Sequence, residues 1–252
     1  TYHFAVVVDD ITMGVNTIIR GDDHVANTPR QIMLYQAMEC ELPEYAHVPM
    51  VLGSDRARLS KRHGAMSVLE YRDMGYLPEG LLNYLVRLGW SHGDQEIFTI
   101  PELISLFSLE HLGTSAGVFN PEKLLAINAE HIKTASPSFL ADHLRPFLEA
   151  RGYSVTDEDY LQQVIQTLLV RSKTLVEMAD KAAFYYQDTI VYEEKAAQKF
   201  LQPAILEALT ILAGELEKTE NFSQPALEPA FKTVMEQTGL KFGKIAQPVR
   251  VA

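Results

Sequence analysis

The 252-residue chain holds a single cysteine, Cys40, so it can form no internal disulfide and no multi-cysteine zinc site. Such sparing use of cysteine suits a reducing, cytoplasmic compartment. No apolar run approaches the roughly 20 residues of a membrane span, and Thr1-Tyr2-His3 does not open a signal peptide. The eight histidines are scattered without metal-ligand spacing, so no bound metal is expected in this stretch. Tandem repeats and low-complexity segments are lacking. An excess of basic residues is missing too: the net charge of −11 argues against an indiscriminate polyanion binder. A local basic strip is still compatible with that balance, and Arg56, Arg58, Lys61 and Arg62 around Asp55 form one.

What is present reads as an α/β portion followed by an all-α portion. Phe4-Ala5-Val6-Val7-Val8 is a short β-branched apolar run ending at Asp9-Asp10, as in a buried parallel strand. Thr17-Ile18-Ile19 reads as a second strand, with Arg20-Gly21-Asp22-Asp23 at its carboxyl end. In Thr28-Pro29-Arg30-Gln31 a threonine cap, a proline and a glutamine three residues on predict a capping box. The helix it opens runs to about Met38 and buries Ile32, Leu34, Tyr35 and Met38. Residues 46–52 read as a further strand. That order is the second half of a doubly wound, Rossmann-type sheet, whose partner half would precede Thr1. From about residue 67 onward the chain reads as helical, with starts at Ser67, Pro78, Thr99, Asn120, Ser136, Thr156, Thr174 and Ser223. Leu161, Val164, Ile165, Leu168 and Leu169 fall at helical spacing and form a core face. Linkers are expected near residues 91–95 and 134–138.

The strand at 46–52 delivers its carboxyl end, through Gly53-Ser54-Asp55, into Arg58-Leu59-Ser60-Lys61-Arg62-His63-Gly64. In open α/β sheets ligands bind at the carboxyl ends of strands. Guanidinium and ammonium groups there give charge-assisted hydrogen bonds to phosphate oxygens. Arg58-Leu59-Ser60-Lys61-Arg62 resembles the Lys-Met-Ser-Lys-Ser signature of class I aminoacyl-tRNA synthetases, in the variant typical of the glutamyl enzymes. Asp9-Asp10-Ile11-Thr12-Met13-Gly14, Ile19-Arg20-Gly21-Asp22-Asp23-His24, Asn27-Thr28-Pro29-Arg30-Gln31, Tyr76-Leu77-Pro78-Glu79, Leu82-Asn83-Tyr84 and Leu88-Gly89-Trp90-Ser91 resemble the same family, in order. The likeness runs the length of the chain and is to the C-terminal part of the bacterial-type glutamyl-tRNA synthetases.

That resemblance implies residues 1–66 as the second half of the catalytic domain, 67–135 as a helical stem-contact domain and 136–252 as an α-helical anticodon-binding domain. It implies ligation of L-glutamate to tRNA-Glu through an adenylate, with ATP and Mg2+ as substrates, in a monomer. Lys61 and Ser60 take the catalytic roles, because a mobile ammonium can follow charge into the departing pyrophosphate. Asp23, Val51, Arg58, Leu59, Ser60, Lys61 and Arg62 are the ATP-binding candidates. Tyr2 and Arg20 are the glutamate-binding ones, the guanidinium being suited to a bidentate hold on a carboxylate. Arg171 matches an arginine that favours glutamate anticodons over glutamine ones.

Two departures from the family pattern bear on activity. The usual Glu-Asp pair after the glycine is Asp22-Asp23 here. The His-Ile-Gly-His type signature of the first half-sheet is absent from these residues, so this stretch alone is expected to be inactive in ATP–pyrophosphate exchange. A glutaminyl enzyme would carry β-barrel anticodon domains, against the helix caps found here. A glutamyl-queuosine type relative would lack the helical anticodon region. A non-catalytic tRNA-binding piece and an enzyme charging both tRNA-Glu and tRNA-Gln are left as alternatives.

Overall fold

In the computed structural model, which describes residues 1–60, 66–187, 192–220 and 222–251, the chain opens with helix α1 (Tyr2–Met13) where a strand was expected. A short apolar run suits a buried strand or a buried helix, and its flanks decide. Here Gly14, in the left-handed region at φ 69°, turns its N–H back onto the Asp10 and Ile11 carbonyls and closes the helix. The buried residue of α1 is Val7, and the helix packs on α2 (Thr28–Ala37). The predicted capping box of α2 does not form. Asn27 stands at the cap, and the Thr28 hydroxyl is engaged elsewhere. Gln31 and Tyr35 are the residues α2 buries; Ile32 and Leu34 are half-buried and Met38 is exposed.

Strands β1 (Thr17–Gly21) and β2 (Glu44–Val48) pair in parallel, with Ile18 opposite Tyr45 and Arg20 opposite His47. The strand expected over 46–52 is broken after Val48, since Pro49 brings no ladder N–H. It resumes as β3 (Val51–Leu52), which pairs in parallel with β4 (Gly117–Val118), a short strand inside the portion expected to be all helical. The stalk of the basic loop is thereby built into the helical part. Val51 and Leu59 pack against a cluster of Tyr71, Leu81, Tyr84, Phe119, Leu124 and Ile127.

The helices that make this part start where local chemistry dictates. α3 (Val68–Asp73) and α5 (Ile100–Leu106) have full capping boxes, Ser67 with Glu70 and Thr99 with Glu102. Pro78 opens α4 (Pro78–Arg87) from the first turn. Asn120, Ser136, Asp157 and Thr174 cap α6 (Pro121–Thr134), α7 (Pro137–Glu149), α8 (Glu158–Leu168) and α9 (Leu175–Lys181), and α10 (Ala183–Tyr186) follows. For α8 the cap is one residue beyond Thr156, because Asp157 is the better acceptor for the Tyr160 N–H. Leu161, Val164, Ile165 and Leu168 are buried as their spacing requires. They join Leu140, Leu144, Leu148, Leu175 and Met178 in the largest core, each worth about 1.5–3 kcal/mol on burial.

Leu77 and Ile132 belong to that same core, so α4 and α6 are welded to α7–α9. The weld is polar at its centre. Fully buried Asn128 accepts the Leu77 N–H at 2.8 Å and donates to the Lys173 carbonyl at 2.6 Å. Beside it the Leu175 N–H donates to the Gly75 carbonyl at 2.8 Å. Compact units divide at Thr1–Tyr186 and Gln187–Ala252, whereas the sequence-based boundary at 135/136 falls in the turn between α6 and α7. The second unit consists of α11 (Glu194–Phe200), α12 (Leu206–Leu216), α13 (Gln224–Thr238) and α14 (Phe242–Val251), closed around Ala208, Leu212, Ala230, Val234 and Ile245. No helix among the described residues is long and apolar enough to cross a membrane.

Two stability predictions follow from this packing. A Cβ on Gly75, at φ 81°, would sit 2.5 Å from the Val176 nitrogen, whereas Gly152, at φ 82°, faces open space. Gly75→Ala should lower stability by about 3 kcal/mol and Gly152→Ala by about 1 kcal/mol. Urea titrations followed through Trp90, the sole tryptophan and itself buried, measure both; equal losses would contradict the close approach. Buried His131 donates from Nε2 to Asn83 Oδ1 at 2.9 Å. Desolvation holds its pKa below the usual histidine range, against an opposing pull from Glu79. Below about pH 6.5 the unfolded chain takes up a proton that native His131 refuses, so stability falls as pH drops. His131→Gln should flatten the stability profile between pH 7 and pH 5, and an unchanged slope would contradict the assignment.

Candidate functional site

The carboxyl end of the β1–β2 pair and the turn after it bring together Arg20, His24, Thr28 and His47, with Asp23 beside Arg58. Side chains alternate across a strand, and the register puts Ile18 and Arg20 of β1 on one face with Tyr45 and His47 of β2. The Arg20 guanidinium lies over the Tyr45 ring, 5.3 Å from its centroid. Its Nη2 donates to Thr28 Oγ1 at 2.7 Å, and its Nε is buried without a partner among the described residues. Thr28 Oγ1 also meets His47 Nε2 at 3.0 Å and donates to the His24 carbonyl at 3.2 Å. The Tyr45 ring is nearly parallel to that of His47, and its buried hydroxyl has no partner among the described residues. Burial raises the Tyr45 pKa, partly countered by Arg20.

After β1 the chain turns through a short helical segment, Asp22–Asn27, which places Asp23 beside the hairpin that follows β3. Asp23 Oδ2 stands 3.5 Å from Arg58 Nη1 and 4.0 Å from His24 Nε2. A Cβ at Gly21 would meet Asp23 Oδ1 at 2.5 Å, so a larger residue there would displace the Asp23 carboxylate. The hairpin is tied by Gly53 N–H to Ala57 carbonyl at 2.8 Å and Leu59 N–H to Val51 carbonyl at 2.9 Å. Asp55 accepts the Ala57 N–H, and Arg56 takes a positive φ of 60° in the turn. The Val51 carbonyl is thus already engaged by the hairpin.

Of the candidates read from the sequence, the structure brings Asp23 and Arg58 into an ion pair and sets Val51 and Leu59 side by side. Arg20 faces Thr28, Tyr45 and His47. Tyr2 lies on α1, half-exposed, with its ring edge-on to His3. Ser60 is half-buried at the end of the hairpin. Lys61 and Arg62 lie outside the described residues. Thr28, Tyr45 and His47 escaped the sequence reading as site residues. Their signal was the two-residue alternation of Tyr45 and His47 opposite that of Ile18 and Arg20.

Arg171 stands apart from this constellation, in the tight turn Leu169–Arg171 between α8 and α9. Its backbone is held firmly: Lys181 Nζ donates to its carbonyl, Ser172 is buried, and the next carbonyl is the one bound by Asn128. Its side chain is exposed, with no acidic group in ion-pair range among the described residues.

Comparison with known proteins agrees with this arrangement. The profile described as tRNA synthetases class I (E and Q), catalytic domain, matches residues 1–126, and an anticodon binding domain profile matches residues 139–252. A glutamate–tRNA ligase of Desulfosudis oleivorans is 69% identical over 252 residues, all of this chain and 54% of that protein. One from Syntrophobacter fumaroxidans is 58% identical over the same span, again 54% of its length. A crystal structure of a glutamate tRNA ligase from Elizabethkingia meningosepticum, in complex with its amino acid, superposes with a TM-score of 0.82 at 26% identity, covering 99% of this chain and 53% of that one. The chain spans about half the length of the curated relatives it matches. With two parallel strands feeding a capped helical array and both profiles matched in order, the chain belongs to the class I tRNA synthetases of the glutamate and glutamine type.

Proposed function

We propose that the chain serves a glutamate–tRNA ligase, which joins L-glutamate to tRNA-Glu through a glutamyl-adenylate at the expense of ATP with Mg2+. The observation that carries this reading is Arg20: a half-buried guanidinium at the carboxyl end of a parallel strand, of whose two Nη groups only Nη2 has a partner among the described residues. Such a group is matched to a carboxylate. Tyr2 joins it on the glutamate side. Asp23, Val51, Arg58, Leu59, Ser60, Lys61 and Arg62 serve ATP. Lys61, supported by Ser60, neutralises the charge that develops on the phosphates and the departing pyrophosphate. The relatives' names and the matched catalytic profile support the assignment. Residues 1–66 are read as catalytic, 67–135 as stem-contacting and 136–252 as anticodon-binding, in an enzyme acting as a cytoplasmic monomer.

On the tRNA side the reader is Arg171. An anchored backbone carrying a free guanidinium loses little entropy when it pairs with two acceptors on a base edge. Strict preference for tRNA-Glu is the reading this favours over charging of both tRNAs.

Two measurements check these assignments. In the ligase that contains this chain, Arg20→Ala should raise the KM for glutamate in ATP–pyrophosphate exchange by about 100-fold, as expected for a lost charge-assisted contact. An unchanged KM would remove Arg20 from the amino-acid site. The 252-residue chain itself should bind a tRNA-Glu transcript in a salt-sensitive manner and bind tRNA-Gln more weakly. Arg171→Gln should weaken tRNA-Glu binding by about 10-fold and erase the preference. Equal binding to both tRNAs before substitution would end the role given to Arg171.

A further inference from the structure

The hydroxyl of Thr28 has a full set of partners, and each constrains the next. A threonine hydroxyl offers one donor and two acceptor lone pairs. Its donor goes to the His24 carbonyl at 3.2 Å. Its lone pairs then accept Arg20 Nη2–H at 2.7 Å and His47 Nε2–H at 3.0 Å. Thr28 is the first residue of α2, while Arg20 and His47 are direct partners across the β1–β2 ladder. One hydroxyl therefore pins a sheet residue to a helix start. The Tyr45 ring lies under the guanidinium, 5.3 Å from ring centroid to guanidinium carbon.

We infer that Thr28 is a positioning residue for substrate binding. Held by His47 and the His24 carbonyl, it takes one of the five N–H donors of Arg20 and fixes the plane of the guanidinium. The Nη donors that Thr28 leaves over are then aimed at the side-chain carboxylate of the amino acid. His47 sets the hydroxyl's direction, and Tyr45 sets the height of the plane. None of the three touches substrate. The inference rests on the reading of Arg20 as the carboxylate-binding group.

A flexible arginine would bind the same carboxylate with a larger entropy loss and from several directions. A pinned one presents a single geometry, and a misaligned carboxamide leaves its donors unpaired, which is how a polar site rejects an analogue. Thr28 thus contributes to discrimination of glutamate from glutamine as well as to affinity.

The test uses the ligase that contains this chain, with ATP–pyrophosphate exchange as the assay. Thr28→Val keeps the shape and removes the hydroxyl. It should raise the KM for glutamate by about 10-fold, leave the KM for ATP unmoved, and narrow the preference for glutamate over glutamine. Thr28→Ser should restore most of the affinity, which a merely structural role for the threonine methyl would not allow. If Thr28→Val does not fold, His47→Phe keeps a ring against Tyr45, drops one hydrogen bond on the hydroxyl, and should raise the glutamate KM several-fold. An unchanged glutamate KM in the folded variant, with Arg20→Ala impaired, overturns the positioning role and leaves the reading of Arg20 standing. A parallel rise in both KM values overturns it in favour of general destabilisation. An unimpaired Arg20→Ala overturns both.

Discussion

The structure of the first 186 residues depends on one buried amide. Asn128 is fully removed from water, and both ends of its side chain are used, by the Leu77 N–H and the Lys173 carbonyl. A buried amide in this position leaves two orphaned backbone groups if it is lost, at about 1–3 kcal/mol each. It therefore fixes where three chain segments meet: the start of α4, the middle of α6 and the approach to α9. Gly80 comes close to the same side chain, since a Cβ there would meet Asn128 Oδ1 at 2.6 Å. Gly75 admits the α9 backbone, so no side chain intervenes at the joint. The apolar core of Leu77, Ile132 and the α7–α9 leucines supplies most of the energy. The amide supplies the register.

A second buried amide, Asn83, repeats the device on a smaller scale. It donates to the Glu96 carbonyl and accepts from the Phe98 N–H and His131 Nε2, all at 2.9 Å. Residues 96–98 are thereby fastened to α4 and α6 before Thr99 caps α5. Glu96 itself pairs with Lys123, whose ammonium draws the carboxyl below its usual range. The first 60 residues are organised differently. Val7 and Tyr35 anchor them, and Arg20 and Asp23 stand at and just after the carboxyl end of β1.

Much of this was legible in the sequence where the chemistry is local. Ser67, Thr99, Asn120, Ser136 and Thr174 all cap helices, because a cap needs only its own hydroxyl or amide and an N–H two or three residues on. A parallel strand pair flanking a proline-started helix was legible too, but the second strand, read at 46–52, pairs at 44–48 and is broken at Pro49. Phe4-Ala5-Val6-Val7-Val8 was misread since five apolar residues fit either backbone, and the deciding signal was Gly14. Thr28 was misread because the same hydroxyl can serve a helix start or a distant arginine, and Arg20 won. Asn128 and Gly75 were invisible as a joint, for their partners lie 45 to 100 residues away. The site candidates were found by likeness of motif, and what they touch emerged from the fold.

Leu59 and Tyr71 rest on the same hydrophobic cluster, one before and one after the Ser60-to-Met66 segment. The folding of the helical part therefore sets both of these points in the chain. The entropy of joining two fixed points grows only as the logarithm of the number of residues between them, about 0.6 kcal/mol for each doubling. The number of residues that joins Ser60 to Met66 is therefore weakly constrained by stability, and it sets instead the reach available to the side chains between them.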